Sequence, residues 1–246
     1  MIDLHCHLLP GIDDGAIDDA DALAMARQAA VDGIGTICAT PHVRHDHDVR
    51  IGELADRVAA LRAALSAAGL QVEVVSGAEV AVTSLAGLED NELRAATLGG
   101  GGRWILLEPA PGPLGSALVD AVLWLRRREL QAVIAHPERH LGPAFHDVLE
   151  ALVSRGALIQ VTAALLLQEP TAGGLLDLAR RGLVHLLGSD AHSSHGGRPV
   201  AVAAALARLE EVELLAGHLG WIGTDGPAAI LRGDPVIAPF GIQALA

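Results

Sequence analysis

Aromatic side chains are almost missing from this chain of 246 residues: there is no Tyr, and Phe and Trp together make up 2%. The core must therefore be built from Ala, Val, Leu and Ile packed as close-fitting aliphatic layers, and few rings remain on which the bases of a single strand could stack. Basic residues are in the minority, 17 against 30 acidic ones, for a formal net charge of -13. That field repels nucleic-acid backbones and anionic membranes unless bound cations neutralise the carboxylates locally. The two cysteines, Cys6 and Cys38, are too few for a disulfide framework and fall inside strand-like runs, which fits a reducing compartment. No uninterrupted apolar stretch is long enough to span a bilayer, and the first residues carry neither a charged n-region nor a long apolar h-region, so the expected location is the cytoplasm.

What the chain does have is regular alternation. Short apolar runs at 2–4, 35–39, 72–75, 104–107, 132–134, 158–161 and 184–187 read as buried parallel strands, separated by amphipathic helical stretches. The helices carry their own punctuation: Asp18 is an N-cap with Gly33 past the end, and the stretch 51–68 is closed by Gly69. About seven strand–helix units with right-handed crossovers predict an α/β fold, a closed or nearly closed β/α barrel, as one domain over 1–246. The stretch 99–102, four glycines, is expected to be a flexible loop within that domain. Arg126, Arg127 and Arg128 end a predicted helix, where cations compensate the helix dipole, and are given no function.

Chemistry gathers where these strands end. The first strand finishes in His5-Cys6-His7, and alternation along a strand sends both imidazoles to one side and the thiol to the other. Later strand ends carry His42, Glu79, Glu108, His136, and the pair Asp190 and His192. In a parallel barrel all C-terminal strand ends open on one face, so these distant residues converge. Any one of them alone would more often be a solvated loop residue; coincidence at so many strand ends is implausible. Of the Asp13-Asp14 doublet, Asp14 is the expected ligand, the other carboxylate capping or solvating the turn. Imidazole mixed with carboxylate, and no inward thiolate, suits a multinuclear cluster of Mn, Fe or Zn.

Clustered divalent ions lower the pKa of a bound water and neutralise phosphoryl oxygens, which is the chemistry of phosphate ester hydrolysis. Arg139 and Arg198 lie near these ligands in sequence and could grip phosphate oxygens as bidentate forks; the plain alternative for each is a surface ion pair. His45, Asp46 and His47, in a polar loop, and His140, His146, His185, His195 and His218 are read as solvated or locally hydrogen-bonded. Cys38 and Arg44 have the C-x5-R spacing of cysteine-dependent phosphatases, but Pro41 removes a backbone donor and the loop has no glycine, so the spacing is taken as accidental.

The opening sixteen residues MIDLHCHLLPGIDDGA, then Ala39-Thr40-Pro41-His42, His136-Pro137-Glu138-Arg139 and Ser189-Asp190-Ala191-His192, in that order, resemble the PHP-domain bacterial protein-tyrosine phosphatases, manganese-dependent enzymes linked to capsule and exopolysaccharide synthesis. The likeness runs from the first residues to the stretch 225–236. It implies a distorted, TIM-like seven-stranded β/α barrel with three divalent metal ions, Mn2+ first and Fe or Zn otherwise. The ligands it implies are His5, His7, Asp14, His42, Glu79, Glu108, His136, Asp190 and His192, with Arg139 and Arg198 as phosphate-binding arginines. It also implies phosphotyrosine on a bacterial tyrosine kinase of polysaccharide synthesis as substrate, attacked by metal-activated hydroxide with no covalent enzyme intermediate. The chain departs from its relatives at Val43, where a second histidine is usual, at Cys6 in place of serine, and in the glycine-rich 193–197 loop; Val43 is expected to alter the rim that meets the substrate. The alternatives are a small-molecule phosphatase of the same type acting on histidinol phosphate, a polymerase-associated nuclease, which the acidic balance opposes, and a degenerate metal-binding module supporting a partner protein.

Overall fold

The computed structural model describes residues 1–242; the last four residues of the expected domain lie outside them. Strands and helices alternate along the chain. In order they are β1 (Ile2–Cys6), α1 (Asp19–Asp32), β2 (Thr36–Ala39), β3 (His42–Val43), α2 (Leu54–Ala67), β4 (Glu73–Ser76) and β5 (Glu79–Ala81). There follow α3 (Asp90–Ala95), β6 (Trp104–Glu108), α4 (Ser116–Arg126), β7 (Gln131–Ala135), α5 (Phe145–Val153), β8 (Leu158–Thr162), α6 (Thr171–Arg180), β9 (Leu186–Gly188), α7 (Ala203–Leu209) and α8 (Gly226–Leu231). Asp18 caps α1 through its carboxylate, which accepts from the Asp21 N–H, and Gly33 at φ 83 closes the other end. In α2 the inward residues Leu54, Val58, Leu61 and Leu65 recur at helical spacing. Among the described residues no helix is long and apolar enough to cross a membrane.

All strand pairs are parallel, in two sheets ordered β1-β2-β4 and β3-β5-β6-β7-β8-β9. The expected seven strands are thus nine among the described residues, because two runs are interrupted. The chain leaves the first sheet at Thr40-Pro41 and again at Gly77-Ala78, and each time joins the second sheet two residues later, as β3 and β5. Backbone hydrogen bonds bridge both gaps: Gly77 N–H to Ala39 O (3.0 Å) and Glu79 N–H to Pro41 O (3.0 Å). At the far side, Asp190 N–H donates to His5 O (2.8 Å) and His7 N–H to Ala191 O (2.9 Å), tying β1 to the segment after β9.

Side-chain alternation divides the apolar residues into two groups. Ile105, Leu107, Ile134, Ile159 and Val161 face the helices, while Leu4, Cys38, Trp104, Leu106, Val133, Ala135, Leu158 and Leu186 form a smaller buried cluster on the opposite faces. A register shift on β1 between Asp3 and Cys6 falls where the strand passes from packing Leu4 to presenting His5 and His7. The 99–102 stretch is not the loose loop expected from its composition. A Cβ at Gly99 would lie 2.5 Å from the Leu231 carbonyl oxygen, and one at Gly101 2.5 Å from the Gly233 nitrogen, so two backbones are pressed together where no side chain fits.

Candidate metal centre

The strand ends place all nine predicted ligands in one neighbourhood. Four overlapping groups, His7/Asp14/His42/His192, His5/His136/Asp190, His5/His7/Glu79 and His42/Glu79/Glu108, each offer donor atoms within 4.8 Å of one another. His42 and Glu79 meet because they are register partners, the first residues of β3 and β5. His136 follows β7 and Asp190 follows β9, and both adopt positive φ, 29° and 49°. Such conformations are costly for residues with a Cβ and persist only where the surroundings over-determine them.

Outer partners aim the imidazoles. A carboxylate only accepts, so the 2.8 Å contact of His7 Nδ1 with Asp13 Oδ2 puts a ring hydrogen on Nδ1 and turns Nε2 inward. Gln160 does the same for His5: its amide nitrogen donates to Val161 O, so Oε1 faces His5 Nδ1 at 2.8 Å as acceptor. His192 Nδ1 donates to the Asp190 carbonyl (3.0 Å). The inward nitrogens of His5 and His7 stand 3.2 Å apart, and each is 3.2–3.3 Å from Glu79 Oε2. Three donors about 2.1 Å from one cation would show edges of that length, and a histidine whose other nitrogen is held by a carboxylate or amide is the usual form of a metal ligand.

The electrostatics agree. Burial opposes the charged form, yet His5, His136 and Arg139 hold the Asp190 carboxyl down at about 2. Against the same opposition, contacts with Asp13 and Glu79 push His7 up to about 10. Burial lowers His192 to about 4, helped by the neighbouring His7. Five buried atoms of this set, His42 Nδ1, Glu79 Oε2, Glu108 Oε2, His136 Nδ1 and Asp190 Oδ1, have no aligned hydrogen-bond partner, although His42 Nδ1 and Glu79 Oε2 are only 3.0 Å apart. Each such group costs roughly 1–3 kcal/mol when left wholly unsatisfied. Bound divalent cations would relieve that cost, and the donor set fits them.

Arg139 and Arg198 converge on the same carboxylate. An Arg139 Nη atom and Arg198 Nη2 (3.1 Å) both reach Asp190 Oδ2, and Arg198 Nε donates to the Asp190 carbonyl (2.7 Å). Both guanidinium groups are about a third exposed, so they present donors to the solvent side of the cluster.

Several sequence readings need correction. His47 is locally hydrogen-bonded as read, with Arg44 Nη2 3.2 Å from its Nε2, but it also joins the site: its ring stacks on His42 with centroids 5.4 Å apart, and Nε2 lies 3.9 Å from Asp14. Asp46 is locally bonded as read, accepting from Arg44 at 2.7 Å, and the same arginine reaches Glu108 at 3.0 Å. Val43 does not reach a substrate rim; alternation along β3 turns it into the core beside its partner Val80. The glycine-rich 193–197 loop is anchored by Ser194, whose N–H donates to Asp21 and whose carbonyl accepts from Gln28. Asp13 caps the turn through the Gly15 N–H, and it also orients His7 and binds the His42 N–H (3.0 Å). Gln160 had no signal in the sequence; its partner is 155 residues away. Cys38 is fully buried with its thiol pushed up to about 12 by burial, 3.5 Å from Ser76 O, so it and Arg44 form no anion loop.

A parallel β/α fold carrying a buried histidine–carboxylate centre faced by two arginines defines a class of divalent-metal hydrolases. Within it, residues 1–212 match the model of the CpsB/CapC family of capsular polysaccharide synthesis, and the chain belongs to that family. It is 32% identical over 201 residues to the tyrosine-protein phosphatase YwqE of Bacillus subtilis (strain 168), covering 78% of each chain. It is 27% identical over 203 residues to the putative tyrosine-protein phosphatase CapC of Staphylococcus aureus, covering 78% and 77%. A solved structure from the set of YwqE from Bacillus subtilis and CpsB from Streptococcus pneumoniae, described as unique metal-dependent tyrosine phosphatases, superposes with a TM-score of 0.82 at 27% identity over the whole of both chains. N-isopropylammelide isopropylaminohydrolase from Burkholderia multivorans ATCC 17616 shares the fold alone, with a TM-score of 0.54 at 16% identity over 94% of this chain and 74% of that one.

Proposed function

We propose that this chain is a metal-dependent phosphomonoesterase acting on phosphotyrosine in proteins. The observation that carries the reading is the meeting of nine ligand-type residues with two arginines at one set of strand ends, in a chain of the CpsB/CapC family. His5, His7, Asp14, His42, Glu79, Glu108, His136, Asp190 and His192 would hold three divalent ions, manganese before iron or zinc. When bound, such ions activate water at neutral pH and neutralise the oxygens of a phosphoryl group. Asp13 and Gln160 keep the hydrogens of His7 and His5 on the outward nitrogens, so the ligating nitrogens stay available. Arg139 and Arg198, held in place by Asp190, orient the phosphate and stabilise charge as it builds on the transferred group. A phenolate leaving group, with a parent pKa of about 10, needs little protonation, and no residue has to be assigned as a strong general acid.

In this reading the two sheets act as one distorted barrel of seven strand positions, 1–246 is a single domain, and the protein works in the cytoplasm on a bacterial tyrosine kinase of polysaccharide synthesis. The test is hydrolysis of a phosphotyrosine peptide by chelator-stripped protein, with and without manganese, beside histidinol phosphate under the same conditions. Manganese-restored peptide turnover is the expected result. Turnover of histidinol phosphate alone would overturn the substrate assignment while keeping the metal chemistry.

A further inference from the structure

A second cavity opens on the face that carries the metal centre. Its volume is about 430 Å³, within the range of pockets that take small ligands, and its walls include Phe145, Pro170, Leu175 and Leu178. Phe145 begins α5 and Thr171 begins α6. In a strand–helix unit the helix N-terminus lies on the face of the C-terminal strand ends, so the cavity stands beside the centre, one strand further along the sheet. One short turn links the two. In the 3-10 turn Pro137–Arg139, which directly follows His136, Arg139 reaches Asp190 while Glu138 turns the other way and lines the cavity.

Glu138 is the feature the proposed mechanism leaves unused. Its residue is 9% exposed. Oε1 accepts from the Thr162 N–H at 2.8 Å, while Oε2 is buried with no partner at all. A buried carboxylate oxygen in an apolar surround calls for a cation or a donor. Asp177, which also lines the cavity, is exposed and paired with Arg180 at 2.5 Å, so Glu138 is the carboxylate of this cavity left without a cation. Leu141 lines the same cavity while 68% exposed, so the surround is apolar and open to solvent. Apolar walls with an acidic floor match a long aliphatic stem ending in a positive charge.

We infer that this cavity is a specificity subsite that receives an arginine or lysine side chain flanking the phosphotyrosine of a polypeptide substrate, its cation paired with the Glu138 carboxylate. The inference rests on the phosphotyrosine reading. Gly174, on the cavity wall within α6, offers a clean way to close it: a Cβ there meets nothing within 4 Å, and replacing glycine inside a helix does not weaken it.

The experiment compares phosphotyrosine peptides that differ only in carrying arginine, its neutral isostere citrulline, or norleucine at each position from three before to three after the tyrosine. Rates are taken relative to p-nitrophenyl phosphate, which has no flank. At one position the wild type should favour arginine over citrulline by about tenfold in kcat/KM, expressed through KM, as one charge-assisted contact would give. Glu138→Gln retains the acceptor for Thr162 and should bring that ratio close to one. Gly174→Phe should raise KM for the arginine peptide toward that of the norleucine peptide, with a melting temperature no lower than wild type. Equal use of the three peptides at every position, or an arginine preference that survives both substitutions, would overturn the subsite while leaving the phosphatase reading intact. Failure to hydrolyse any peptide, with p-nitrophenyl phosphate still turned over, would overturn both.

Discussion

Two buried histidine environments in this molecule respond to burial in opposite ways. At the strand-end centre, His7 is fully enclosed yet pushed up to about 10, because Asp13 and Glu79 stand against its two nitrogens. Behind β8, His185 is equally enclosed and falls to about 4. Burial is its only influence: Nδ1 accepts from the Ile159 N–H, Nε2 has no partner, and Phe240 stacks 6.0 Å away. Both sites remove an imidazole from water, but only one surrounds it with carboxylates. Burial alone makes a histidine a neutral core residue, and surrounding carboxylates make its site one that favours positive charge.

Breaking the first environment should have the largest effect. Asp190→Ala or His136→Ala removes a ligand, and Asp190→Ala also frees both arginines, so hydrolysis should fall by a factor on the order of a hundred to a thousand or more, with circular dichroism showing the fold retained. Arg139→Gln and Arg198→Gln should each cost roughly a hundredfold in kcat/KM without changing the metal content measured by plasma mass spectrometry; loss of metal would show that these arginines support ligands instead of substrate. Asp13→Asn and Gln160→Leu leave every ligand in place but release the outer nitrogens of His7 and His5. Metal affinity should drop about 10- to 100-fold, read by competition with a fluorescent chelator.

The second environment predicts a smaller effect of opposite character. The folded pKa of His185 lies below its ordinary 6.5, so its stability contribution is complete above that value. The contribution is lost as pH falls toward 4, where the unfolded chain takes up a proton that the folded chain refuses. His185→Asn keeps an acceptor for Ile159, and its melting temperature should fall less steeply than that of the wild type between pH 6.5 and 4.5. A parallel fall would assign the slope to other groups. Cys38→Ser, at a thiol that stays protonated, should retain activity, and a folded, metal-loaded but inactive variant would reopen the thiol mechanism.

The proposed ligands were legible because each is a local event: His5, His7, Glu108, His136 and Asp190 stand at or just past the end of an apolar run. The interruptions at Thr40-Pro41 and Gly77-Ala78 were not, since β3 and β5 are only two and three residues long and owe their pairing to the neighbouring sheet. His47 was hidden for a related reason. Its loop is polar in sequence, and only the fold stacks its ring on His42. Asp13 was visible as half of a doublet, but its second oxygen serves His7 through a contact that spacing does not announce. Gln160 sits in the middle of a buried strand, where a polar residue looks like an exception until its partner is known.

The most direct test of the central claim is to follow bound metal and aryl phosphate hydrolysis together while the purified protein is titrated with chelator. The account predicts up to three divalent ions per chain, activity that disappears as they are withdrawn, and recovery when manganese is returned. Full activity in protein stripped of every ion would contradict it.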